Sequence, residues 1–119
     1  MTRLLALLLS AALLLAAGPA AHAHAVVTEN SLATEPVKPN HATTVVLMFN
    51  AGVELKLSKA YLVSAGDVYH PVEISHGKKP GELHVKLPAL EPGDYAIKYK
   101  VFAADGHLTE NAIRFHVAP

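Results

Sequence analysis

Residues Leu90 to Val101, LEPGDYAIKYKV, join a chain break to a strand within a dozen positions. Pro92-Gly93 interrupts regular structure, and after Asp94 the residues Tyr95, Ile97, Tyr99 and Val101 alternate with Ala96, Lys98 and Lys100. Period-two alternation puts successive side chains on opposite faces, so this segment reads as a strand with one buried and one solvated face. Sheets of that kind are antiparallel, because parallel sheets bury both faces and read as continuous apolar runs.

The same pattern recurs outward from this stretch. Val45, Leu47 and Phe49 alternate in TTVVLMF, and Leu83, Val85 and Leu87 alternate with His84 and Lys86. In Ala112–Val117, Ile113, Phe115 and Val117 face one way while Arg114 and His116 face the other. Ala25–Leu32, Ala60–Ser64 and Val68–Ile74 are further strands, and Ser75–Gly81 (SHGKKPG) reads as a surface turn. No amphipathic helix of three turns is visible. About seven short strands in one small domain predict an all-β fold, a two-sheet antiparallel Greek-key sandwich of immunoglobulin-like type. Tyr95, opening a strand just after a turn, fits the tyrosine corner of such sandwiches, whose hydroxyl returns to upstream backbone; the alternative is a plain first core residue.

The N-terminus has the three parts of a secretory signal: Arg3, an apolar run from Leu4 to Ala17, then Gly18-Pro19 and small residues. Gly18, Pro19 and His22 cut the run short of the roughly 20 apolar residues that a membrane span requires. Small residues at the first and third positions before the cut favour cleavage after Ala23, which makes residues 1–23 a removed leader and residues 24–119 the mature domain, with His24 first. Cleavage after Ala25 would leave Val26 first, and cleavage after Ala21 is disfavoured by Pro19.

Removing 23 of the 119 residues leaves 96, enough for one domain with a modest core. Only Arg3 is lost from the ten basic residues, so nine face ten acidic ones and a nucleic-acid or anionic-membrane footprint is excluded. There is no cysteine. A blue-copper centre, a thiol nucleophile and a cysteine zinc site are therefore excluded as well.

Seven histidines remain after the leader: His24, His41, His70, His76, His84, His107 and His116. His84 and His116 fall on the polar sides of strands and His41 and His76 in turns, where exposed, idle side chains are expected. His70 precedes Pro71 with no legible partner. Ala103-Ala104-Asp105-Gly106-His107 differs, because a carboxylate and an imidazole two residues apart can point to one side of an extended segment across Gly106. A plain polar Asp-Gly turn is the competing reading. An N-terminal His24 would offer its α-amine and ring Nδ1 to one ion. With Asp105 and His107 this makes three nitrogens and one oxygen, a set that suits Cu(II) best among common first-row ions, with zinc and nickel as competitors. The α-amine titrates near 7.7–8.0 and histidine near 6.5, so the ion must displace protons and affinity falls on acidification.

These residues resemble the CopC family of periplasmic copper-resistance proteins. The resemblance covers nearly the whole mature chain: a histidine at its start, Val45–Phe49 leading to Val53-Glu54, Leu90-x-Pro92-Gly93-x-Tyr95, and Ala104-Asp105-Gly106-His107 before the last strand. It implies a cupredoxin-like or immunoglobulin-like β-sandwich that binds one Cu(II) in the periplasm through His24, Asp105 and His107. It also implies a role in copper storage, delivery or resistance, with an inner-membrane copper transporter or another periplasmic carrier as partner. Some family members hold Cu(I) in a methionine-rich loop, but beyond the leader this chain has only Met48, so it resembles the Cu(II)-only type. Ala51 stands where the family often has Glu, and Leu108 where Pro usually follows the Asp-x-His.

No catalytic residue is expected. Two other classes remain as competitors: a small histidine-brace copper oxidase or monooxygenase, disfavoured by chain length, the absence of Trp and a carboxylate in a position that oxygen activation needs open, and a metal-free adhesion or chaperone sandwich.

Overall fold

The computed structural model describes residues 25–119; residues 1–23, expected to be a leader, and His24 lie outside the described residues. Among the described residues, eight strands form two four-stranded antiparallel sheets. They are β1 (Val27–Asn30), β2 (Thr43–Phe49), β3 (Lys59–Ser64), β4 (Val68–Val72), β5 (Ile74–His76), β6 (Glu82–Leu87), β7 (Gly93–Phe102) and β8 (Leu108–Val117). One sheet runs β1-β2-β6-β5 and the other β4-β3-β7-β8, so β2–β6 and β3–β7 are Greek-key neighbours reached by crossing between sheets. The two inner faces meet as the alternation requires. Val45, Leu47, Leu83 and Val85 from one sheet and Ile97 and Val101 from the other have no exposed surface. Tyr99 joins them, its ring edge-on to Phe49 at 5.4 Å, and burial pushes its hydroxyl pKa up.

The strand count is eight rather than seven because Val68–Ile74 is two strands. Val72 pairs with Ala60 in one sheet while Ile74 pairs with Val85 in the other, and Glu73 turns the corner between them, its carbonyl accepting from Lys86 N–H at 3.0 Å. Val72 and Ile74 both pack on the core, so an unbroken alternation hides a change of sheet. Ser75 and His76 accordingly belong to β5, and only Gly77–Gly81 is a turn. The first strand ends at Asn30, whose side chain accepts from Leu32 N–H at 2.9 Å and starts a 3₁₀ turn, Ser31–Ala33. The last strand begins at Leu108, four residues before the expected Ala112, because the full length of β7 from Gly93 to Phe102 offers it a partner.

Tyr95 forms the tyrosine corner: its hydroxyl donates to Glu91 O at 2.9 Å. No helix among the described residues is long and apolar enough to cross a membrane.

Candidate metal centre

The β7–β8 hairpin turns through Ala103–His107, and backbone bonds hold this turn to the body of the protein. Gly106 N–H donates to Ala103 O and Ala103 N–H to His107 O, both at 2.9 Å, while Ala104 N–H reaches Gly52 O at 2.9 Å. Gly106 has φ +90°, a conformation that a side chain would strain. The segment is thus a closed Asp-Gly turn, the competing reading of the sequence, rather than an extended stretch, and it still puts Asp105 and His107 on one side. Asp105 Oδ1 accepts from His107 N–H at 3.1 Å, and Oδ2 from His107 Nδ1–H at 2.9 Å. These bonds, the side-chain one foremost, hold the Asp105 carboxyl below the usual aspartate range. A carboxylate that grips one imidazole nitrogen fixes the ring's orientation and tautomer, the arrangement that supports metal-binding histidines. A carboxylate has about four lone-pair positions, so two accepted bonds leave room for a cation.

The N-terminal segment enters at the same place. Ala25 is fully buried. Val26 N–H donates to Asn50 Oδ1 at 2.8 Å, and Asn50 N–H returns to Val26 O at 3.0 Å. Two residues beyond Asn50, Gly52 accepts from Ala104, the neighbour of Asp105, and Val53 bridges to Ala103. One short loop, residues 50–53, therefore ties the entry of β1 to the turn that carries Asp105 and His107. His24, the third expected ligand, lies outside the described residues, and among the described residues no three His, Asp or Glu side chains converge on one point.

The other histidines are engaged rather than idle. His84 Nε2 lies 2.9 Å from Glu82 Oε2, and His116 Nδ1 lies 2.7 Å from Asp94 Oδ1. His70 bonds Ser64 Oγ at 3.2 Å and His41 bonds Pro39 O at 2.8 Å. His76, expected in a turn, sits on β5 and its Nε2–H donates to Val53 O at 2.8 Å. It thereby braces the loop residue that bridges to Ala103. Sequence reasoning missed Asn50 and His76 as supports of this end of the molecule because their contacts span 24 and 23 residues and carry no local pattern.

The model of the CopC domain family matches residues 27–118. The crystal structure of CopC from Methylosinus trichosporium OB3b is similar at a TM-score of 0.67 and 26% identity, over 81% of this chain and 95% of that one. PcoC, a methionine-rich copper resistance protein from Escherichia coli, shares the fold at a TM-score of 0.58 and 20% identity, over 80% of this chain and 99% of that one. No curated protein matches the sequence. With the family model spanning the whole sandwich from β1 to β8, and the two-sheet topology shared with those structures, the chain belongs to the CopC family.

Proposed function

We propose that this chain is an exported Cu(II)-binding protein of copper storage, delivery or resistance, without catalytic turnover. Residues 1–23 direct export to the periplasm and are removed, and His24 becomes the first residue. Its amine and ring, with Asp105 and His107, hold one ion per chain. The observation that carries this reading is the Asp105–His107 pair on a turn tied through residues 50–53 to Val26, two residues from His24. The donor set, nitrogen and carboxylate oxygen without thiolate, fits Cu(II). Met48, the lone methionine beyond the leader, lies in β2, which gives no thioether cluster for Cu(I). A carrier of this kind exchanges its ion with another protein, an inner-membrane copper transporter or a periplasmic carrier.

The test is Cu(II) titration of the chain beginning at His24, followed by electron paramagnetic resonance and thermal melting. A bound ion should give a tetragonal nitrogen–oxygen spectrum and, at about a thousandfold excess over Kd, raise stability by about 4 kcal/mol. His107→Ala and acetylation of the N-terminal amine should each weaken Cu(II) binding by roughly a hundredfold, with the melting temperature of the metal-free protein unchanged. Unaltered Cu(II) affinity after both changes would sink the ligand assignment. Turnover of oxygen or peroxide by wild type, abolished in His107→Ala, would favour the copper-oxidase class instead.

A further inference from the structure

The outer face of the β4-β3-β7-β8 sheet carries charge that neither the core nor the metal reading uses. Lys59 lies directly opposite Lys100 and Tyr61 opposite Lys98 across β3–β7, while Ala96 lies opposite Arg114 and Lys100 opposite Glu110 across β7–β8. Since Ala60, Leu62, Ile97 and Tyr99 point into the core, alternation turns Lys59, Tyr61, Lys98 and Lys100 outward. Tyr69 shares that face, its ring 5.9 Å from Tyr61 and its centroid 6.0 Å from Lys98 Nζ.

Four of the nine cations beyond the leader thus stand on one sheet face: Lys59, Lys98, Lys100 and Arg114. The carboxylates beside them are Glu110, Asp94 and, lining one surface pocket with Asp94 and Arg114, Asp67. Asp94 is engaged by His116 at 2.7 Å, and Glu110 meets Lys100 at 3.7 Å with both side chains 45% exposed, a pairing that water largely screens. Like charges directly opposite weaken a β-ladder, so Lys59 facing Lys100 costs the sheet and stabilises nothing within it.

We propose that this face docks an acidic segment of a partner protein. Carboxylates would meet Lys59, Lys98, Lys100 and Arg114, and the apolar parts of the segment would lie on Tyr61 and Tyr69. Tyrosine and arginine are enriched in protein interfaces, whereas an extended anionic lipid plane would also press against Glu110 and Asp94 at the patch border. The domain as a whole carries nine basic against ten acidic residues, so attraction is confined to this face and suits a partner of limited width.

The probe is a fluorescent peptide of glutamates with interspersed leucines, titrated at low salt into the metal-free chain beginning at His24, so that the outcome is independent of the metal reading. Saturable binding is expected, weakening as salt is added. Lys59→Glu/Lys98→Glu/Lys100→Glu should weaken it by on the order of tenfold, whereas Lys38→Glu/Lys78→Glu/Lys79→Glu, with the same net charge, should not. The neutral pair Lys59→Gln/Lys100→Gln removes the like-charge opposition without new repulsion, so it keeps the fold and should still weaken binding. Backbone amide shifts confined to the β4-β3-β7-β8 sheet would support the site. Equal loss in the two triple variants, no saturable binding, or tighter binding to phosphatidylglycerol vesicles than to the peptide would overturn it.

Discussion

Single side chains decide how the ends of the sandwich are held. Glu82 accepts from Lys78 N–H at 2.9 Å and pairs with His84, and its carboxylate packs against Gly77, where any Cβ would collide with it. The Lys78 bond, followed by the His84 bond, holds the Glu82 carboxyl below the usual glutamate range. A carboxyl depressed in the folded state stabilises the fold above its unfolded pKa, near 4.3, and that contribution disappears as pH falls through the lower folded value. Denaturant melts of Glu82→Gln should therefore show a loss of stability at about pH 6 that vanishes on acidification below the folded pKa; a loss independent of pH would show that the charge contributes nothing. Asp105 is depressed by the same kind of bonding. The spacing of Asp105 and His107 was legible in sequence, but their bonds to each other follow from the closed turn at Gly106.

At the scale of elements, turns and corners set which strands meet. The Tyr95 hydroxyl, bonded to Glu91 O across the turn before β7, fixes how the chain enters its longest hairpin. Tyr95→Phe keeps the ring stacked on Phe115 and removes one hydrogen bond, so chemical denaturation should read a loss of about 1 kcal/mol. The β5–β6 turn docks against the end of β2, with Phe49 N–H donating to Gly81 O at 2.8 Å. A Cβ on Gly81 would lie 2.5 Å from Phe49 O, a backbone atom that cannot swing aside. Gly81→Ala should therefore cost about 1–3 kcal/mol by thermal or urea unfolding, more than alanine at Gly66, where no atom lies within 4 Å but φ is +79°. Periodicity exposed nearly every strand, yet Val68–Ile74 concealed the change of sheet at Glu73, since alternation is the same on either side of a corner.

For the molecule as a whole, stability rests on two inner faces pressed together without a disulfide. Leu47 and Leu83 are fully buried and are partners across β2–β6. Leu47→Ala should lower unfolding free energy by about 2–5 kcal/mol, measured in urea, the spread reflecting how far the site can collapse; a cost below about 1 kcal/mol would mean that the core is loosely packed. The alternating apolar residues by themselves determined the antiparallel sandwich, because burying one face of each strand leaves few other arrangements. Composition likewise excluded thiolate chemistry. Only the tertiary structure decided which histidines are engaged and by what, that Asn50 and His76 brace the β7–β8 turn, and that Lys59, Lys98, Lys100 and Arg114 share one outer face. Those groupings depend on register between strands distant in sequence, and register is set by the packing of the whole sheet rather than by any segment alone.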